Sequence, residues 1–225
     1  MDNSDNRPDA AIPKNLDGNA STLDRVRADL FEKLKNGDIS DTALKSRAAV
    51  QGQQKLALSF FGGEVIVDLE STSVYYKSVA TGNGRQSSRE LDVFSSAIIL
   101  HYLINADGTD LCGEWISYRE FPDGMFYFRT IPGVLEPVLA KYKNSAGDLV
   151  KRIEESGGHR SGDFNNGAVM YPFVNFPVLV IMEEESEEFE ASLRVLFDRN
   201  GSHYIKIDVV KMILVYLVKI LVNSK

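Results

Sequence analysis

Apolar side chains recur along this chain with two different periods, and the switches between them mark out its elements. Leu23, Val26, Leu30 and Leu34 fall on one helical face, and Gly37 stands where a glycine closes a helix. A second short helix is predicted over 41–50, stopped near Gly52. Lys55 to Phe61 and Glu64 to Leu69 are apolar and β-branched, and Gly62-Gly63 between them is a hairpin signal. Thr72 to Val79 reads as a third strand, followed by a polar, glycine-containing loop over 81–88.

The next switch is back to the helical period. Val93, Ala97, Leu100 and Ile104 place a helix over 89–106, ended by Asn105-Ala106-Asp107-Gly108. A second hairpin is expected from Gly113 to Phe121 and from Met125 to Arg129. Its turn would be Pro122-Asp123-Gly124, because proline presets φ and glycine accepts positive φ. Helices follow near 134–142 and 146–155, then a polar loop over 157–167 that holds His159 and Asp163. Strands are predicted over 169–173, 178–182 and 193–197, before a terminal apolar helix over 209–222. That last run is about 14 residues long, short of the ~20 a spanning helix needs. Lys211 and Lys219 interrupt it and share a strip with Asp208, which fits a helix packed into a core with one wet edge.

Helices and strands come in clusters, so the expected fold is α+β, a mostly antiparallel sheet packed by helices. Residues 21–225 are read as a single domain. Residues 1–20 are polar, carry two prolines and have no apolar stretch, so they read as a disordered leader and not an export signal.

Composition then narrows the chemistry. The 225 residues contain one cysteine, Cys112, which excludes a disulfide framework and leaves no ligand set for an iron–sulfur cluster. With no export signal, the expected location is cytoplasmic. Net charge is −7, and six of the 32 acidic residues sit in the run Glu183 to Glu190. The body is close to neutral and shows no basic face, so nucleic acid and anionic membrane are not expected partners. Phosphate-loop, dinucleotide, zinc-protease and serine-hydrolase signatures are all missing. The chain therefore gives no positive sign of catalysis. Carboxylate chemistry around Glu114, Glu120 and Asp163 has no motif behind it.

Two features could carry binding. His101 lies inside the apolar helix Ile98-Ile99-Leu100-His101-Tyr102-Leu103, either as a core histidine or as an imidazole facing a bound metal. The second hairpin is dense in aromatics, with Trp115, Tyr118 and Tyr127 beside Arg119. One of its faces would be core. The other would suit a planar ligand bearing carboxylates or amides, unless the rings only pack across the strands.

Three segments together are similar to a known family. They are Leu100-His-Tyr-Leu-Ile-Asn-Ala-Asp-Gly108, Gly113-Glu-Trp-Ile-Ser-Tyr-Arg-Glu-Phe121, and Glu188-Phe189 leading to Val195-Leu-Phe-Asp198. In this order they resemble the domain of unknown function 3786 of anaerobic bacteria and archaea, over about residues 22–222. Some relatives add a cysteine-rich iron–sulfur domain, which this chain does not carry. The resemblance implies a link with anaerobic one-carbon and corrinoid metabolism. The expected function is a non-catalytic carrier or accessory protein for a corrinoid-type tetrapyrrole, cobalamin or haem. His101 would be the axial metal ligand, and Trp115, Tyr118, Arg119 and Tyr127 would hold the ring. The alternative is a protein-interaction or regulatory module that binds no cofactor and uses the acidic patch 183–190 against a basic partner.

Overall fold

The computed structural model describes residues 20–77 and 88–223. The expected leader lies outside them but for its last residue, as does the loop over 81–88 but for Ser88. In chain order the elements are α1 (Ala20–Asn36), α2 (Ile39–Ser46), β1 (Ala49–Gln51), β2 (Lys55–Phe60), β3 (Gly63–Asp68), β4 (Ser73–Tyr76), β5 (Arg89–Glu90) and α3 (Val93–Asn105). Then come β6 (Trp115–Ser117), α4 (Gly124–Tyr127), α5 (Ile131–Tyr142), α6 (Ala146–Glu155), β7 (His159–Arg160), β8 (Gly167–Phe173), β9 (Phe176–Glu183), β10 (Ser192–Asp198) and α7 (Ile207–Val222). The fold is α+β with antiparallel pairing. The strands form two sheets, a meander β1-β2-β3-β4-β5 and a second sheet ordered β6-β10-β9-β8-β7.

Local chemistry explains the boundaries. Phe61 (φ 47°) and Gly62 (φ 75°) both take positive φ, which makes the tight two-residue turn between β2 and β3. The Asp92 carboxylate accepts from the Ser95 amide and starts α3. Three predicted spans change. Arg47 in the left-handed conformation ends α2 early, and Ala49 and Val50 leave the predicted helix to pair with β2 together with Gln51. Arg89 and Glu90 pair with β4 instead of opening α3. His159 and Arg160 join the edge of the second sheet through β8.

The largest correction is the second hairpin, which does not form. Only Trp115–Ser117 is a strand, and its partner is β10, about eighty residues further on. At Ser117 the chain turns into a 3-10 segment, Tyr118–Glu120, where Glu120 accepts from both the amide and the hydroxyl of Ser117. Asp123 has φ 62°, and a β-carbon on Gly124 would run into the Tyr118 carbonyl oxygen. That close turn sends the chain into α4 rather than a returning strand.

A single hydrophobic cluster runs from Leu30 to Leu221 and takes in the inner faces of both sheets and every helix except α4. The Phe61 amide donates to the Pro172 carbonyl (3.0 Å) and stitches β2 to β8, where the β8–β9 ladder is irregular. Around this stitch Phe60, Phe61, Phe173 and Tyr216 pack ring on ring, and Tyr102 stacks on Phe173 with centroids 3.9 Å apart. α7 packs on α3 and α5. Its carbonyl end is closed by side chains: Lys141 and Tyr142 of α5 and Arg152 of α6 donate to the carbonyls of Ile220, Leu221 and Val222.

Candidate functional site

The residues expected to form one site divide between two places. Trp115 points away from the main core onto the outer face of the second sheet. Cross-strand register puts Ser117, Leu196, Leu179, Val169 and His159 in one row across all five strands of that face. Val169, Leu179 and Ile181 form a small separate cluster there. The side chains packed over it are Trp115, Phe164, Tyr171 and Leu196, none of them from a helix. The His159 imidazole stacks on Tyr171 with ring centroids 5.6 Å apart. One ion pair stands on this face, Arg194 with Glu183 (2.8 Å), whereas Arg160 lies opposite Ala168 on the other face and reaches Glu154 of α6 (3.9 Å). The result is an aromatic platform with an imidazole near one end and Trp115 at the other.

The other expected residues gather near the start of α7. Tyr118 is buried and its hydroxyl donates to the Ile207 carbonyl (3.0 Å), so it caps structure instead of lining an open face. Burial, with Asp208 and Tyr127 nearby, pushes its hydroxyl up to about 12. Arg119 is turned onto its own neighbourhood, with Nε on the Met125 sulfur and the guanidinium over the Phe128 ring (5.2 Å). Tyr127 is half exposed on α4. His101 is half-buried on α3. Burial holds its imidazole below the usual value, against the pull of Asp208, and Lys206 and Lys33 add to the lowering. Thus His101 and Tyr118 both feel Asp208, while Trp115 stands on a surface to which α3 contributes nothing.

A third polar cluster joins residues 107–114 to the segment after β10. Asp198 is buried and accepts from the amides of Cys112, Gly113 and Asn200 and from the Cys112 thiol. Cys112 itself is exposed. His203 Nδ1 lies 2.6 Å from Asp107, whose carboxyl is pulled down to about 2, chiefly by that contact. Arg199 forks onto Glu114 (2.6 and 2.7 Å). Glu114, held by Arg199, and Glu120, held by Ser117, both sit below the usual carboxylate range. Neither is poised as a proton donor, which general acid catalysis would need.

Among the described residues no group of three or more His, Cys, Asp and Glu is placed to hold a metal ion. A metal held by one protein imidazole plus its own macrocycle does not require such a group. Two depressions in the surface lie elsewhere. One, of about 340 Å³, is bordered by Arg27, Phe31 and Thr72, and the other, of about 560 Å³, by Gln51 to Lys55. Opposite charges rim both, and neither touches the platform or His101.

The platform partners Phe164, Tyr171 and His159 were missed by sequence reasoning. The signal was present in β9, where Phe176 to Met182 is apolar at both parities, the mark of a strand covered on both faces.

Residues 38–220 match the family described as Domain of unknown function (DUF3786). The chain belongs to that family. No curated protein and no solved structure matches it.

Proposed function

We propose that this DUF3786 member is a non-catalytic binding protein for a flat, ring-bearing ligand of the tetrapyrrole class, corrinoid or haem, seated on the outer face of the second sheet. The observation that carries the reading is the platform itself. Trp115, Tyr171 and Phe164, all half-buried, pack over Val169, Leu179 and Ile181, and among the described residues no helix adds an apolar side chain there, although an outward sheet face normally ends in polar side chains. Aromatic side chains suit a macrocycle, and Ser117 and Arg194 offer polar contacts to peripheral amides or carboxylates. The imidazole on this face is His159. His101, whose imidazole burial holds below its usual value, is the second candidate for an axial bond.

A visible-absorption titration of the full chain with cobalamin and with haem tests this. A saturable spectral shift is expected, lost in Trp115→Ala and in His159→Ala and kept in His101→Ala. If His101→Ala removes the shift and His159→Ala does not, the axial bond belongs to α3 and not to the platform. No shift with either compound overturns the reading.

A second reading, protein interaction through the acidic segment, is favoured by one observation. Glu183, Glu184 and Glu185 are engaged by Arg194, the Ala146 amide and Lys143, whereas Glu187, Glu188 and Glu190 have no ion pair among the described residues and flank an exposed Phe189.

A further inference from the structure

The five strands of the second sheet carry two basic side chains besides His159, and neither guanidinium is free on the outer face. Arg194 stands there opposite Ile181 and is paired with Glu183, while Arg160 faces the other way toward Glu154. Arg199, just past β10, is forked onto Glu114, and Arg119, past β6, is turned onto Met125 and Phe128. Carboxylates around the face are less evenly matched. Asp198 stands opposite Trp115 in the register and accepts from three amides and the Cys112 thiol, with no cation among its partners in the described residues. Glu120 is held against Ser117 at the β6 edge. Beyond β9, Glu187, Glu188 and Glu190 have no ion pair among the described residues, and neither has Asp163 in the loop that carries Phe164. Uncharged hydrogen-bonding groups edge the same surface. The Ser117 and Ser192 hydroxyls lie in its register rows, and Asn165 and Asn166 are exposed beside Phe164.

From this balance we infer that the ligand of the outer face has an uncharged rim of carboxamide type, and that the same ring edged with carboxylates is turned away. The inference rests on the ring-ligand reading and narrows it. A carboxylate set down beside Trp115 or at the β9–β10 end meets like charge, and it gains a cation only by taking Arg194 from Glu183. An amide both donates and accepts, so it fits between Arg194 and Glu183 and bonds to each. The hydroxyls and side-chain amides at the edge serve it in the same way. Only the rim is selected, because the flat body of either ring lies on Trp115, Tyr171 and Phe164 alike.

Two probes that share metal and ring test it, cobyrinic acid with its all-carboxylate rim and the corresponding all-amide corrin. Trp115 is the one tryptophan of the chain, so quenching of its fluorescence in the full chain reports binding at this face. The amide form is expected to bind at least about tenfold more tightly at low salt, since like charges oppose the acid form. That gap should narrow as salt rises, because exposed charges are screened. Glu183→Gln removes one carboxylate and frees Arg194 at an exposed position, so folding should be kept. It should tighten binding of the acid form several-fold and leave the amide form within about twofold. An acid form that binds as tightly as the amide form overturns the inference and leaves the ring-ligand reading standing. A gap that ignores both salt and Glu183→Gln also overturns it, since shape and not charge would then discriminate. Quenching by neither probe removes the ring-ligand reading, and this inference with it.

Discussion

The outward faces of the two sheets share strand geometry and are finished in different ways. On the first sheet, Ala57 and Ile66 lie at the centre, and ion pairs surround them, Lys55 with Asp68 and Lys77 with Glu64, each at 2.9 Å. Water can serve as the partner of such a face, since charged groups shield a small apolar centre. On the second sheet the same positions hold Leu179, Ile181 and Val169 under Trp115, Tyr171 and Phe164. Half-buried aromatic side chains, and not charged groups, finish the centre of this face. The ring-ligand proposal rests on that difference and not on any single residue.

Three substitutions test how deep the difference goes. The largest effect is expected from Leu179→Ala, which opens a cavity under the platform at a fully buried position. It should lower stability by about 2–5 kcal/mol in urea unfolding, equally at low and high salt. A loss below ~1 kcal/mol would mean that the platform is loosely packed and that its apolar character contributes little to the fold.

Asp68→Asn comes next. Burial works to raise the Asp68 carboxyl, but the Lys55 ammonium and the Ser71 amide and hydroxyl outweigh it, so the group sits below its usual value. A carboxyl lowered in the folded state adds stability above its unfolded value near ~4 and loses it as pH falls through the folded one. The variant should therefore be less stable by on the order of 1 kcal/mol at neutral pH. The gap to the parent should close as pH drops below about 4, because the parent loses the same contribution there. A gap that stays constant into acid would show that Asp68 acts through its shape and not its charge.

The smallest effect belongs to Lys77→Met. Its bond to Glu64 is solvent-exposed, so denaturant titration should register well under ~1 kcal/mol, and molar salt should erase it. A cost that survives salt would mean the ion-paired face is held by the lysine stem, which would narrow the contrast between the sheets.

How much of this was legible in the chain depends on how far apart the interacting partners are. The β2–β3 hairpin could be read because its register is set by its own turn, Phe61-Gly62. α3 was read from Val93 to Ile104, but its start was misplaced, since Arg89 and Glu90 are claimed by β4, across a connection of a dozen residues. The Trp115 strand looked like half of a hairpin because Pro122-Asp123-Gly124 is good turn chemistry. Its true partner, β10, lies far along the sequence, beyond the reach of local pattern. Even so, Ser117-Tyr118-Arg119-Glu120 spells a capping box, and that signal was there to be weighed against the turn. The expected site divided for the same reason. Strand alternation already set Trp115 and Tyr118 on opposite faces, and the structure turns Tyr118 inward to Ile207 while Trp115 lies outside, so the two cannot line one site. The pairing of His203 with Asp107, ninety-six residues apart, leaves no trace in a single sequence.

The side chains that close the end of α7 have a consequence for time as well as for energy. A helix usually frays from its last turn, where unpaired carbonyls let the backbone open a residue at a time. Here Lys141, Tyr142 and Arg152 hold the carbonyls of Ile220 to Val222, and they belong to two other helices. The last turn cannot loosen without breaking these bonds to α5 and α6 as well. Amide protons at Ile220 and Leu221 should therefore leave no sooner than those at Ile213 or Leu214, and α7 would keep a single clock along its length.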